Sequence, residues 1–471
     1  MFERLSQARR NARERGELSR LVDDCRQLIG ERGESNSVAI AARAIERYRR
    51  LAADGVREFF DLLAGEFDPD PAEVLRLAQQ YAGSRSPEDL VRLARAAEPP
   101  RQELLRRLNR APRGTKTLVE MRAQLLHRLR TDRRLVAVDA DFEHLLSSWF
   151  NPGFLRLVQV DWGSPALLLE KIIQHEAVHE IDGWGDLRRR LQPDRRCFAF
   201  FHPMLPDEPL IFVEVALLAQ MPEAIAPLLD RSMPAATVDP GKFRVAAFYS
   251  ISNCQPGLRG VNLGNFLIKR VAERLAQEFP RLRTFCTLSP IPSFAQWLAK
   301  VETLKSARLK PAAVQALNAE LAALRARHAG ELGREFALAA GSGERAGPPV
   351  AAPGAQGADG QGATGQGADG QGADGQGADA DRRALERLCA FYLTHTEPRD
   401  GPASDPVARF HLNNGARLER INPGADVSRK GLKQSLGLMV NYLYDLDDIE
   451  ANHERFASGG VSASRSVRGL L

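Results

Sequence analysis

Two side chains, far apart in the chain, have the types needed for acid–base chemistry on a small substrate. Ser289 closes the run Thr284-Phe-Cys-Thr-Leu-Ser289-Pro-Ile-Pro292, and His411 lies in Phe410-His411-Leu-Asn-Asn-Gly415. The first run reads as a buried strand ending in the serine, with a helix from Pro290. That places a hydroxyl at the open end of a strand, where α/β proteins put their ligands. Imidazole gives and takes protons near neutral pH. No Gly-x-Ser-x-Gly turn surrounds Ser289, so a hydrolase nucleophile is not expected. Taken singly, each residue has a commoner use. Ser-Pro is the pattern of a helix N-cap followed by proline at the first helical position, and a histidine between Phe410 and Leu412 suits a core.

A second constellation is Gln255-Pro-Gly-Leu-Arg259-Gly260-Val261-Asn262-Leu263-Gly264-Asn265-Phe-Leu267. It follows a strand-like run and opens a helical one. Glycines let backbone approach a ligand, and the free N–H groups of a helix N-terminus suit pyrophosphate oxygens. The spacing resembles the loop with which GNAT-superfamily acyltransferases hold the pyrophosphate of CoA. Asn262 stands where that loop has its middle glycine, and asparagine tolerates left-handed backbone better than most residues. By itself, a glycine pair at a strand–helix junction is more often a plain turn.

His175-Glu176-Ala-Val-His179 matches His-Glu-x-x-His, which on one helix face presents two imidazoles to zinc. The longer metalloprotease form needs glycine at 182 and histidine at 185, where this chain has Asp182 and Gly185. Glu208 and Glu214 are the available third ligands, both in or beside strand-like runs. No metal is expected, and the two histidines are read as structural.

The elements that must position these residues fall into two parts. Residues 1–190 read as an all-α domain. Asp70-Pro71-Ala72-Glu73 opens the apolar stripe Val74, Leu75, Ala78, Tyr81, and Ser86-Pro87-Glu88-Asp89 opens Leu90, Leu93, Ala94, Ala97. Both use an acceptor at the N-cap and proline just inside. Leu118, Met121, Leu125 and Leu129 form a further stripe; such stripes make core or oligomer interface. From 191 to 471 the character changes. Phe198–His202, Leu210–Leu217 and Val245–Ser252 read as buried strands, with helices between them, which indicates a mixed sheet covered by helices, an α+β fold. Residues 339–381 repeat Gly-Gln-Gly-Ala-Asp without a bulky apolar side chain. Such a segment cannot bury enough surface to offset its chain entropy and is expected to be a disordered insert. Sequence resumes with a helix near 383–395 and a strand at 416–421.

The composition sets limits. A chain of 471 residues exceeds one ordinary core. Net charge of +5 suits a polyanionic small ligand, and without a basic arm interleaved with aromatics nucleic acid is not expected. The five scattered cysteines form no Cys-x-x-Cys pair, which fits reduced thiols. No apolar run is long enough to span a bilayer. The start, Met1–Leu5, carries no secretory pattern and the end, Val467–Leu471, no peroxisomal address. A cytoplasmic location is the expectation.

The runs around Ser289 and His411 resemble the catalytic signatures of malonyl-CoA decarboxylases. The similarity continues through Ser147–Phe154, Glu176–His179 with Trp184 and Asp186–Arg190, Phe248–Ser252, Asp426–Ser428 and Gly437–Tyr444. It covers most of residues 140–457, with weaker likeness in the earlier helices. The resemblance implies an N-terminal helical domain used for self-association, to a tetramer, and a C-terminal GNAT-like domain. It implies conversion of malonyl-CoA to acetyl-CoA and CO₂ without metal, biotin or thiamine, so that CoA enters only with the substrate. Carried over residue by residue, it makes Ser289 and His411 the catalytic pair; the chemistry casts His411 as the proton donor and Ser289 as the partner of the malonyl carboxylate, roles the two could also exchange or share. It makes Arg259, Gly260, Val261, Asn262, Leu263, Gly264 and Asn265 the malonyl-CoA loop, and Asn441 and Tyr444 supports behind the pair. Some relatives carry glutamate where this chain has Asn262. Three other readings remain on the residues: a GNAT acetyltransferase, a non-catalytic CoA-thioester sensor, and a zinc peptidase.

Overall fold

The computed structural model describes residues 2–30, 33–232, 239–261, 263, 267–328, 371–396 and 405–471. The chain divides into two compact units that interleave along the sequence. The first comprises Met1–Val158, Ala199–Phe212 and Ser252–Gly264; the second comprises Gln159–Phe198, Val213–Ile251 and Asn265–Leu471.

The first unit is built on α1 (Phe2–Gly30), α2 (Glu34–Arg49), α3 (Ala53–Gly65), α4 (Pro71–Ser84), α5 (Pro87–Ala97), α6 (Pro100–Leu108), α7 (Gly114–Arg128) and α8 (Val136–Trp149). The expected caps form. Asp70 accepts from the Ala72 N–H at 2.9 Å and Ser86 from the Asp89 N–H at 3.2 Å, and a proline follows each cap. Leu118, Met121 and Leu125 of α7 are buried. The stripes of α4 and α5 behave differently: Leu77 is buried, but Leu75, Leu90 and Val91 are exposed. Within a single chain these two helices pair with each other and leave that apolar surface uncovered.

The second unit carries most of an eight-stranded mixed sheet. Its strands are β1 (Arg156–Val160), β2 (Arg195–Phe201), β3 (Ile211–Leu218), β4 (Val245–Asn253), β5 (Thr284–Thr287), β6 (Ser289–Pro290), β7 (Arg417–Asn422) and β8 (Met439–Leu443). The order is β1-β2-β3-β4-β5-β8-β6, with β7 also on β8. β4 and β5 are parallel, whereas β8 runs antiparallel to β5, β6 and β7. The described helices of this unit are α9 (Ala166–His175), α10 (Gly183–Arg190), α11 (Ala226–Leu229), α12 (Leu267–Glu278), α13 (Phe294–Lys300), α14 (Pro311–Arg327), α15 (Gln371–His395), α16 (Pro406–Asn413), α17 (Arg429–Ser435), α18 (Ile449–Ala457) and α19 (Arg465–Arg468). One core cluster joins Ala216, Tyr249, Leu288, Ala425 and Met439.

Three local expectations change. β1 lies inside the stretch read as all helix, because five residues are too few for a period of two to stand out. The helix expected from Pro290 begins only at Phe294. Ser289 pairs with Val440 and Pro290 with Met439, so a strand ladder holds both extended. β6 is the last strand in the order, where a proline without an N–H is tolerated. Of the expected insert, 339–370 lies outside the described residues, and 371–381 belongs to α15. The docked half of that helix supports this extension. Asp381 is buried and pairs with Arg327 Nε and His328 Nε2, both at 2.7 Å, and Leu385 and Leu388 are buried beyond it.

Candidate active site

Ser289 and His411 meet. His411 Nε2 lies 2.9 Å from Ser289 Oγ, and both side chains are buried. The local sequence explains how each arrives. β5 brings the chain to Thr287, a buried link through Leu288 follows, and β6 fixes Ser289 against β8. His411 rides on α16, whose N-cap Asp405 accepts from Val407 N–H at 2.9 Å and Ala408 N–H at 3.0 Å. The other oxygen of Asp405 accepts from Ser293 N–H at 3.1 Å. One carboxylate therefore ties the histidine helix to the segment just after the serine. Burial raises the Asp405 pKa, and those backbone donors oppose the rise.

The pair is the middle of a longer chain of hydroxyls. Tyr444 OH lies 2.8 Å from His411 Nδ1, and Ser289 Oγ donates to Thr287 Oγ1 at 2.8 Å. Thr287 Oγ1 also accepts from Tyr442 N–H at 3.2 Å. Neutral imidazole has one donor and one acceptor, so the arrangement uses each proton once. Tyr444 O–H donates to Nδ1, Nε2–H donates to Ser289, and Ser289 O–H donates to Thr287. The ring of Tyr442 stacks on His411 with centroids 4.7 Å apart.

The electrostatics follow from burial alone. The His411 pKa is pushed down to about 3 because the protonated ring is cut off from water. The Tyr444 phenol is pushed far up for the same reason. The unliganded pair is therefore neutral at neutral pH. Such a site can hold a carboxylate through a hydroxyl and pass a proton along the imidazole.

Asn441 does not touch the pair. Its Nδ2 donates to Thr287 O at 2.8 Å and Pro222 O at 3.1 Å, and its Oδ1 accepts from Arg420 Nε at 3.1 Å and Asn422 Nδ2 at 2.8 Å. It braces the strand that carries Thr287. Tyr444 instead bonds the His411 ring directly. Sequence reading missed Thr287 and Tyr442. The first had a signal: residues two apart on an extended chain share a face, so Thr287 and Ser289 point the same way.

Of the loop from Arg259, residues up to Gly264 belong to the first unit and Asn265 to the second. Arg259 and Gly260 are exposed, Val261 and Leu263 are buried, and Gly260 has φ +85°, a left-handed angle that favours glycine. Asn262, Gly264 and Asn265 lie outside the described residues.

The His-Glu-x-x-His run is not helical throughout. α9 ends at His175, and Glu176 is extended at φ −66°, ψ 109°. The Glu176 carboxylate is buried and accepts from Val178 N–H, His179 N–H and Ser250 Oγ. Burial pushes the His179 pKa down to about 4. Glu208 pairs with Lys116 at 2.6 Å and Glu214 with Arg190 at 2.8 Å. Among the described residues no three His, Cys, Asp or Glu side chains are placed to hold a metal.

The chain matches known proteins over most of its length. The family profile described as malonyl-CoA decarboxylase C-terminal domain matches residues 153–471, and that of the N-terminal domain matches 67–150. The chain is 35% identical to the mitochondrial malonyl-CoA decarboxylase of Rattus norvegicus, over 92% of this chain and 83% of the relative. The Mus musculus protein of the same name is 34% identical, with the same coverage. Among solved structures, malonyl-CoA decarboxylase from Rhodopseudomonas palustris superposes with a TM-score of 0.78 at 43% identity, covering 96% of this chain and 99% of that one. The Agrobacterium vitis structure gives 0.76 at 45% identity, with the same coverage.

Proposed function

We propose a mechanism for this chain, which belongs to the malonyl-CoA decarboxylase family and converts malonyl-CoA to acetyl-CoA and CO₂. The observation that carries it is the neutral, buried chain Tyr444–His411–Ser289–Thr287. Ser289 turns its proton from Thr287 to the malonyl carboxylate and holds the C–C bond aligned for cleavage. The arriving carboxylate favours a protonated ring. A unit charge at about 4 Å with an effective dielectric near 20 is worth roughly 4 kcal/mol, or about three pKa units. His411, at about 3 in the free protein, is thereby lifted towards neutrality and takes up one proton with the substrate. When the C–C bond breaks, its electron pair passes into the thioester enolate and CO₂ leaves. His411 then gives its proton to the enolate carbon and returns to the neutral ring. One proton is consumed per turnover, as the overall reaction requires.

The same reading assigns Arg259–Asn265 to the CoA portion of the substrate. The exposed Arg259 and the left-handed Gly260 support it. It describes the sheet unit as GNAT-like and calls for no metal, biotin or thiamine. Self-association to a tetramer is part of the proposal, supported by the uncovered apolar side chains Leu75, Leu90 and Val91; sedimentation of wild type and Leu90→Lys tests it. We place the protein in the cytoplasm, in keeping with five buried, unbridged cysteines. Cell fractionation separates that from the mitochondrial location in the relatives' names. No helix among the described residues is long and apolar enough to cross a membrane, and neither a membrane nor nucleic acid is proposed as a partner.

The test is to incubate purified protein with malonyl-CoA and EDTA and follow acetyl-CoA by liquid chromatography. Ser289→Ala and His411→Ala run alongside. Turnover in EDTA that collapses in both variants supports the mechanism. Full activity in either variant, or loss of turnover with EDTA alone, overturns it.

A further inference from the structure

An arginine stands where the pattern of α7 asks for a leucine. Arg122 lies one turn from Leu118 and next to Met121 on the buried face, and it is among the largest fully buried side chains of the protein. A charged group so placed is costly unless every donor is matched. Arg122 finds partners for four of its five donors, from two sides. Its Nε donates to Asp139 at 2.8 Å and its Nη2 to Glu143 at 3.1 Å, both on α8. Its Nη1 donates to two backbone carbonyls beyond α7 and α8, Gly257 O in the short 3-10 turn Pro256–Leu258 at 3.1 Å and Arg259 O at 2.7 Å.

Those two carbonyls belong to the approach to the substrate loop, and the packing there is close. A Cβ on Gly257 would lie 1.9 Å from Val119 O of α7, so only glycine lets the segment seat against the helix backbone. One turn later Gly260 passes over Glu143, whose Oε1 would be 3.2 Å from an added Cβ. The carboxylate that pairs with Arg122 is thus also the floor under the left-handed turn. The planar guanidinium alone matches this set, because its donors diverge in a fixed fork.

We infer that Arg122 is a positioning residue for malonyl-CoA, holding the backbone of Gly257–Arg259 so that Arg259 and Gly260 are presented to the CoA portion. This rests on the assignment of Arg259–Asn265 to CoA. The helical unit then sets substrate affinity through one side chain that never touches the reacting carbons.

The test compares malonyl-CoA with malonyl-pantetheine, which lacks the nucleotide, in Arg122→Met, Arg122→Lys, Gly257→Ala and Arg259→Ala, with thermal melting as the check on folding. Arg122→Met is expected to raise KM for malonyl-CoA at least tenfold and leave kcat within threefold, with KM for malonyl-pantetheine unchanged. Arg122→Lys should not restore affinity, because an ammonium cannot span two carboxylates and two carbonyls. A folded Arg122→Met with wild-type KM, or with kcat falling equally on both substrates, overturns the inference. If Arg122→Met does not fold, Gly257→Ala decides in the same way, since it pushes the segment off α7 without changing the charge. Arg259→Ala separates the two levels. Wild-type KM in that variant overturns the CoA assignment itself, whereas a raised KM there beside a normal one in folded Arg122→Met overturns only the role of Arg122.

Discussion

Two of the buried polar networks among the described residues of the sheet unit are built on opposite plans. Around Ser289, the partners are Thr287, His411 and Tyr444: hydroxyls and a neutral ring. Around Arg190, the partners are carboxylates. Its Nε meets Asp186 at 3.1 Å and its Nη1 meets Glu214 at 2.8 Å, while Nη2 donates to His179 O and Glu180 O. Next to it, Arg189 grips Asp194 through two bonds, and Arg195 reaches the same carboxylate at 2.6 Å. The ionic network settles its own charge, so nothing further need enter. Even so, burial lifts the Glu214 pKa to about 7 against the pull of Arg190. The neutral network holds no charge to be settled, and its strong perturbations, on His411 and Tyr444, both come from loss of water. A substrate carboxylate is the first charge it meets, so its electrostatic response is kept for the reaction. Burial alone does not mark a functional site; burial without a compensating ion does.

The contrast can be broken first at its reactive end. Ser289→Ala and His411→Ala should each lower kcat per folded molecule about 10³- to 10⁴-fold. Coupled acetyl-CoA release reads the rate, and a loss under tenfold would remove that residue from the chemistry. At the ionic end the sign reverses. Arg190→Met leaves Glu214 buried without its partner and Asp186 with only the half-exposed Arg231, and should cost about 3–5 kcal/mol of stability. Activity per folded molecule should be retained, as urea unfolding and active-site titration would show. A finer probe is Tyr444→Phe. It removes the donor to Nδ1 and should lower kcat about ten- to a hundredfold, since an unpaired buried acceptor costs roughly 1–3 kcal/mol. An unchanged rate would mean the ring needs no orienter. The smallest signal is in pH. The pKa of His411 is depressed in the folded free protein to about 3, so the ring stays neutral as pH falls through its ordinary value of 6.5. The kcat/KM profile, which reports free-enzyme groups, should therefore show no acid limb near 6.5. The matching stability contribution is present above 6.5 and is lost as pH falls from there towards 3, because the unfolded chain takes up the proton first.

Legibility in the sequence followed the range of the interactions. Helix starts at Asp70-Pro71 and Ser86-Pro87 depend on neighbours two or three residues away, and they form as read. The strand at Arg417–Asn422 likewise falls close to its expected place. Failures came where a distant partner overrode a local rule. Ser289-Pro290 has the letters of a helix start, yet β8 captures it as a strand. His175–His179, read as structural despite the letters of a zinc helix, is no such failure: the chain leaves the helix at Glu176, whose carboxylate turns to its own backbone and Ser250. The apolar stripes of α4 and α5 predict burial that a single chain does not provide.

The amino-acid sequence by itself determined the helical first part, the strand-rich second part, and, through its resemblance to a family, Ser289 and His411 as the residues to watch. Local propensity and side-chain periodicity are properties of short windows, so one chain is enough to read them. Only the tertiary structure decided that Tyr444 and Thr287 complete the hydrogen-bond chain, that the His411 ring is neutral, and that Arg122 reaches the carbonyls of Gly257 and Arg259. Each of these depends on which groups share a volume from which water has been expelled. That is fixed by packing between residues distant in the chain, and no window of sequence contains it.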